Sequence, residues 1–544
     1  MIFALCTLLA AISVYLVWWL VRPYVQTHAL DIIPGPSPKS LLSGSMSEFS
    51  HRQGSRFWTH ATETYGDVFK IFVYQRRRLL IVSDPKALHS VLIGDQEFFA
   101  KRLAPLDITL LLLGPGLVST RGEQHRRQRK QLNPAFSVAH LRDVTHILYN
   151  VAHQVRNAIQ RSVPKDDTAK IIDVNGWMTR TTLEMLGQAS LGYSFDNFYE
   201  DSTDTYAKSV KMFFPVVSSA PFVGTLISTL SYYLPGWLIK ALFRISPWLT
   251  HREIMRISDT MRKRSEEIIY ERKLALKKGG DALLQQVGEG KDIMSISLKA
   301  NMAASDSEKL TDEELVAQMS TFVLAGTDTT SNALSRILHL LSENPSAQAR
   351  LRAEIAESQG GPGGNLDIPY DDIMKLPYLD AVCRETFRLY APVEIILRHA
   401  LEDFVLPLSA PIRGTDGSTL NEVFIPKDTP VFVHFQASNT SRRLWGEDAY
   451  EWKPERWLAP LPEALEDARV PGVYSNLMTF SGGLRSCIGF QFAQLEMKVV
   501  LATLLSAFSF ELTDTPIVWN SSAIKYPTMG EGSQPEMLLK VKAL

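Results

Sequence analysis

Positions Ile2 to Val21, IFALCTLLAAISVYLVWWLV, carry no charged side chain. As a helix this stretch is about 30 Å long, enough to cross a bilayer's hydrocarbon core, and it reads as a membrane span. A cleaved signal peptide is the alternative, but no basic segment precedes the apolar run, the run is long, and no small-x-small site clearly follows it. Trp18, Trp19 and Tyr24 fall where an interfacial aromatic belt belongs, and Arg22, Lys39, Arg52 and Arg56 put positive charge on the C-terminal side, which assigns the rest of the chain to the cytosol. Pro34, Gly35, Pro36 and Pro38 exclude helix and predict a stiff spacer. The expected division is an anchor and linker over residues 1–33 and a body over 34–544.

Within the body, YGDVFKIFVYQRRRLLIVSD, Tyr65 to Asp84, has two β-rich pieces around a basic turn and predicts a hairpin in a small sheet. Most of the remainder is helical in pattern, so the expected class is mainly α with small β-sheets. The clearest helix opens at the capping box TDEE, Thr311 to Glu314, and ends before Asn344 and Pro345. Leu315, Met319, Phe322, Val323, Leu334, Ile337, Leu338 and Leu341 recur at helical spacing, which makes this a deep helix of about 50 Å. Inside it lies AGTDTT, Ala325 to Thr330, where Gly, Asp and three threonines are all poor helix-interior residues. Local rules broken inside a regular element point to function. Lys211 to Pro247 is apolar but interrupted by Pro and Gly before any piece reaches spanning length; a surface membrane contact and buried core are both open. From Arg262 to Lys309 the pattern turns polar and predicts solvated helix ends and a loop.

Composition narrows little. The 544 residues are 45% hydrophobic and 21% charged with a net charge of −1, which permits a large core and argues against a nucleic-acid surface. No repeat or long Gly/Ser linker divides the chain after residue 40. Three cysteines, Cys6, Cys383 and Cys487, are too few and too scattered for a disulfide framework, leaving Cys487 free to act as a ligand.

Cys487 stands in FSGGLRSCIGF, where Phe480, Gly483, Arg485, Cys487 and Gly489 fill the pattern FxxGxRxCxG. This resembles the haem-binding loop of the cytochrome P-450 superfamily, and the resemblance extends over essentially the whole chain. It implies a P-450 fold with haem b, iron protoporphyrin IX, between the long central helix and the cysteine loop. Cys487 would be the axial iron ligand, Arg485 would pair with a haem propionate, Phe480 would pack beside the thiolate, and Gly483 and Gly489 would let the chain turn tightly and approach the macrocycle. The alternative is an inert cysteine in a glycine-rich turn.

Other landmarks follow in order. AGTDTT matches the family's oxygen-activation helix, with Asp328 and Thr329 as the acid and alcohol that handle protons; threonines bonding back to helix carbonyls are the structural alternative. Glu385 and Arg388 in YLDAVCRETFRLY, with Arg456 of WKPERW, match a structural Glu-Arg-Arg network. The same spacing at Glu123/Arg126, Glu253/Arg256 and Glu466/Arg469 reads as solvated surface pairs. In GEQHRRQRKQLNPAF, Arg129 takes the place of a propionate-binding arginine, while His125 replaces the commoner tryptophan; a basic helix face is the alternative for both. Arg398, after APVEIIL, takes the place of a further propionate ligand.

The resemblance implies a microsomal monooxygenase of fungal wording that inserts one atom of O₂ into a lipophilic substrate, by hydroxylation or epoxidation, in secondary metabolism. With no GxGxxG after a strand and no room for a flavin domain, electrons would come from a separate NADPH-cytochrome P-450 reductase, with cytochrome b5 as a second donor, at the endoplasmic reticulum membrane. Leu103 to Leu117, Phe213 to Leu242, Leu324 and Ala325, Val393 to Leu397 and the loop near Thr528 would line an apolar pocket. The rivals are an isomerase or dehydratase working without O₂, and a haem-binding sensor without turnover.

Overall fold

The computed structural model describes residues 24–101, 104–164, 168–198, 205–220, 223–278, 290–361 and 366–544, with isolated positions between 7 and 22. The span expected over Ile2 to Val21 lies largely outside them. Among the described residues no single helix is long and apolar enough to cross a membrane, although Ser209–Ser218 and Val223–Leu230 pass together as a pair bent by 84°.

The chain forms two compact units, each discontinuous in sequence. The first comprises Met1–Leu103, Glu394–Ala449 and Pro462–Ser486. Its main sheet contains β1 (Val68–Phe72), β2 (Arg78–Val82), β3 (Phe99–Ala100), β4 (Ile395–Ala400) and β5 (Pro430–His434), in the order β1-β2-β5-β4-β3. β1 and β2 are the expected hairpin, in register from Val68↔Val82 to Phe72↔Arg78; β2 and β5, far apart in sequence, pair in parallel. Phe69, Ile71, Leu79 and Ile81 pack with Trp58 in a core from which each is almost wholly excluded from water. The proline-rich segment departs from the expected spacer. Lys70 donates its backbone N–H to the Pro34 carbonyl at 2.9 Å, a Cβ on Gly35 would lie 1.9 Å from the Lys70 carbonyl oxygen, and Arg78 holds Asp31 through two bonds of 2.9 Å. Unpaired strand-edge groups on β1 recruit the segment, because a backbone without helix has hydrogen bonds to offer.

The second unit comprises Ala104–Val393, Tyr450–Leu461 and Cys487–Leu544. Its helices include α1 (Gly122–Leu132), α2 (Val138–Ser162), α3 (Val174–Leu186), α4 (Thr205–Ser218), α5 (Gly236–Ile245), α6 (Leu249–Lys278), α7 (Asp312–Glu343), α8 (Pro377–Leu389) and α9 (Phe490–Leu505). α7 is the deep helix, and it starts as its sequence predicts. Thr311 accepts from the Glu314 N–H at 3.2 Å and donates its own N–H to the Glu314 carboxylate at 2.9 Å. Among its described residues the stretch 262–309 contains the end of α6 and a helix, Ile293–Ala303, buried over its first half, and a buried Arg272–Asp292 ion pair at 3.8 Å joins the two. Lys211 to Pro247 divides between both expectations. Phe213, Ile227, Ile239 and Phe243 are buried, whereas Tyr232, Tyr233 and Trp237 are well exposed.

Candidate active site

α7 packs along α3, and the residues that break helix rules lie at this crossing. A Cβ on Gly326 would come within 2.9 Å of the Leu186 side chain of α3, so glycine here permits the close approach. Asn175 of α3 donates to the Asn332 side-chain oxygen at 3.0 Å and to the Ser335 hydroxyl at 3.1 Å. The Thr182 hydroxyl of α3 reaches the Thr327 carbonyl at 3.2 Å. Ala325, Gly326 and Thr329 form one face of α7 that a water-sized sphere reaches, although the residues around them are buried. The Thr329 hydroxyl donates to the Ala325 carbonyl at 2.6 Å, the back-bonded arrangement set out above as the structural alternative. That bond commits the hydroxyl proton but leaves the oxygen's lone pairs to accept from a donor in the open space.

Asp328 points elsewhere. It is only 5% exposed, and burial pushes its carboxyl pKa from the ordinary 3.8 up to about 8, with the charge of Lys211 on α4 pulling the other way. Burial in turn lowers the Lys211 ammonium. Asn175, Thr179, Lys211, Asp328 and Asn332 converge on a small polar cavity of about 10 Å³, room for about one water. Lys211 was absent from the residues singled out by sequence, because α4 lies more than a hundred positions before Asp328 and carries no motif.

Cys487 immediately precedes α9, for which Gly489 is the N-cap. Cys487 is an exposed residue, and desolvation by the protein around its thiol raises the thiol's pKa. The backbone N–H of Gly489 and the positive charge of Arg129 oppose that rise. Arg129 lies one turn beyond His125 on α1; His125 is buried, and desolvation lowers the Arg129 guanidinium while the Cys487 thiolate supports its charge. Two contacts tie this end to α7. A Cβ on Gly489 would touch the Phe136 ring at 3.6 Å, and Phe136 meets Phe322 edge to face at 5.7 Å. Glu496 of α9, 1% exposed, is held neutral by burial and hydrogen bonds Thr330, the neighbour of Thr329. Glu496, too, was not singled out as a site residue.

Phe480, Gly483, Arg485 and Arg398 lie in the first unit. Gly483 has φ +70°, and a Cβ there would fall 1.9 Å from the Leu92 carbonyl oxygen, so only glycine fits. Phe480 packs edge-on against Tyr474 at 5.6 Å. Asn439 pins the start of the loop, accepting from the Met478 N–H at 2.8 Å and donating to Thr479 at 2.9 Å. Arg398 is buried, and desolvation followed by the like charge of Arg485 lowers its pKa to about 10. An anionic group at that point would relieve both effects.

The Glu-Arg-Arg network is present in the second unit. Glu385 and Arg388 of α8 are both 0% exposed and joined at 2.8 Å, Arg456 approaches Glu385 at 3.4 Å, and the Trp457 indole donates to it at 3.0 Å. Glu123 and Arg126, with the same spacing, are 72% and 67% exposed. Burial alone separates the two cases.

A family model, "Cytochrome P450", matches residues 34–524. The chain belongs to the cytochrome P450 family. It is 56% identical over 535 residues to "Ganoderic acid synthetase CYP5150L8" of Ganoderma lucidum, covering 98% of this chain and 97% of that one. It is 47% identical to "Cytochrome P450 monooxygenase 91" of Postia placenta, covering 96% and 95%, and 45% identical to "Cytochrome P450 monooxygenase 81" of the same fungus, covering 97% and 96%. The protein is a haem-thiolate monooxygenase, and its family carries haem iron.

Proposed function

We propose that this monooxygenase binds haem b through Cys487 and oxidises a lipophilic organic substrate with electrons from an NADPH-cytochrome P-450 reductase, cytochrome b5 serving as a second donor. The observation that carries the site assignment is the exposed Cys487, with the Gly489 N–H and the positive charge of Arg129 acting on its thiol to favour the anion. The donor set fits the group. A soft thiolate suits iron; as the family resemblance implies, His125 and Arg129 of the second unit and Arg398 and Arg485 of the first would donate to propionates, Phe480 would pack beside the thiolate, and Gly483 and Gly489 leave their turns without side chains. Haem held there supplies dioxygen activation.

The chain's own residues supply the protons. Asp328, neutral at physiological pH through burial, holds a proton in the small cavity it shares with Lys211. Thr329, its own proton engaged by the Ala325 carbonyl, keeps lone pairs that would accept a hydrogen bond from a water or protonated group on the open face of α7. The name of the relative from Ganoderma lucidum makes ganoderic acids and their precursors the first substrates to try. Residues 1–33 anchor the catalytic domain, 34–544, in the endoplasmic reticulum membrane, and the exposed aromatics Tyr233 and Trp237 suit a membrane contact of their own.

Cys487→His tests the site. The reduced carbon monoxide complex of the parent should show the red-shifted Soret band of thiolate ligation, and the variant should lose it. A variant that keeps the band refutes the assignment. NADPH consumed by a reconstituted reductase system, with and without substrate, tests the partner.

A further inference from the structure

Near the C-terminus the chain forms a hairpin, Ile517–Asn520 paired with Tyr526–Met529 in register from Ile517↔Met529 to Asn520↔Tyr526. It meets α7 at two places. At one, the Arg336 guanidinium, on a residue only 9% exposed, sits against two rings, 3.7 Å from the centre of Trp519 and 4.2 Å from that of Tyr390 at the end of α8. The Trp519 indole also donates to His339 Nδ1, three residues further along α7, at 3.0 Å. At the other, Ile524 and Tyr526 of the hairpin, with Pro535 beyond it, wall the cavity of about 10 Å³ that Asp328 and Asn332 of α7 line from the opposite side. Asp328 and Arg336 are about 12 Å apart along the helix axis, about two turns. Between the two places Asn520, fully buried, ties the strands together, donating to the Tyr526 carbonyl at 3.3 Å and the Thr528 hydroxyl at 3.1 Å. The Lys525 N–H reaches the Pro392 carbonyl, just past Tyr390, at 3.1 Å.

A guanidinium withdrawn from water against two aromatic faces is attracted to both. What this clamp positions is the hairpin, and what the hairpin closes is a polar cavity whose remaining walls come from α3, α4 and α7. Resting on the reading of Asp328 as the holder of a proton, and deepening it, we propose that Arg336, Tyr390 and Trp519 are positioning residues that hold the hairpin against α7 as the wall keeping bulk water from Asp328. The groups that face this carboxyl give dryness its importance. Lys211 of α4 is the charged group that acts on it, and it favours loss of the proton. Lys211 is in turn drawn by Asp173, just before α3, and by Glu536, after the hairpin. α3 contributes the uncharged Asn175 and Thr179, and the hairpin contributes Tyr526. Among the described residues no second carboxylate acts on Asp328 to keep its proton in place; exclusion of water does that. The hairpin is one of the walls on which this exclusion depends.

The infrared band of the protonated Asp328 carboxyl, identified as the band that Asp328→Asn lacks, reports its titration in the full-length holoenzyme without turnover. In the parent it should fade around pH 8. Trp519→Leu removes both the ring over Arg336 and the bond to His339; water should enter, and the fading should move down by about one pH unit or more. Trp519→Phe keeps a ring for Arg336 and should restore most of the parent value. Arg336→Met, read in the same way, keeps the test open should Trp519→Leu fail to take up haem. Losing a cation about two turns away would by itself move the acid up, so a downward move in this variant reports water rather than charge. Fading at the parent's pH in every variant that keeps the parent Soret spectrum overturns the inference, and absence of the band from the parent at neutral pH overturns it together with the reading of Asp328. A fading that moves as expected while substrate oxidised per NADPH keeps the parent's pH profile supports the clamp and overturns only the catalytic reading of Asp328.

Discussion

Replacing Asp328 with asparagine keeps the side chain's size and most of its hydrogen-bonding shape while removing the proton it holds. In the parent, burial moves the carboxyl from 3.8 to about 8, a difference on the order of 5 kcal/mol between its two protonation states. At neutral pH about ten folded molecules carry the proton for each one that has lost it. The folded state then binds more protons than the unfolded state between about pH 4 and pH 8. Stability from this group is fully present below the lower value and is lost as pH rises through the higher, with a slope of at most about 1.4 kcal/mol per pH unit. Denaturant midpoints measured across that window should fall with pH in the parent and fall less steeply in Asp328→Asn. Catalysis should respond in the same window. Substrate oxidised per NADPH should decline in the parent above about pH 8, whereas the variant should lose on the order of a hundredfold in turnover, divert electrons to peroxide and show no inflection. Lys211→Met removes the one charge that lowers the Asp328 pKa, so its inflection should move upward. Parallel pH profiles for parent and Asp328→Asn, in both stability and coupling, would refute the reasoning.

Two further expectations rest on packing rather than protons. Glu385→Gln removes the carboxylate that pairs with Arg388, which is 0% exposed, and with Arg456; stranding buried cations costs about 3–5 kcal/mol, and a thermal melt followed at the Soret band should fall by several degrees, while Glu123→Gln, on a solvated pair, should barely change it. Gly483→Ala forces a left-handed residue and a Cβ into the Leu92 carbonyl, so purified protein should hold markedly less haem per chain than the parent; full occupancy would show that the loop can turn another way.

Several elements were legible before any coordinates because their determinants are local. The capping box fixes the start of α7 through two hydrogen bonds three residues apart, and the β1–β2 hairpin follows from strand-forming residues on either side of a short basic turn. AGTDTT announced itself by breaking helix rules, and its glycine has a packing reason in Leu186. In the polar stretch 262–309 the buried Arg272–Asp292 pair was not legible, because the partners of a charged residue that enters a packed region are set by the fold.

What the amino-acid order determined by itself was the cysteine loop, the disrupted central helix and the set of candidate Glu–Arg pairs, since each is a short-range pattern written into neighbouring positions. Tertiary structure decided which Glu–Arg pair is buried, which lysine faces Asp328 and which acid meets Thr330. Those outcomes depend on the dielectric and the company created when distant segments pack together, and a buried charge differs from a solvated one only after the fold has removed the water.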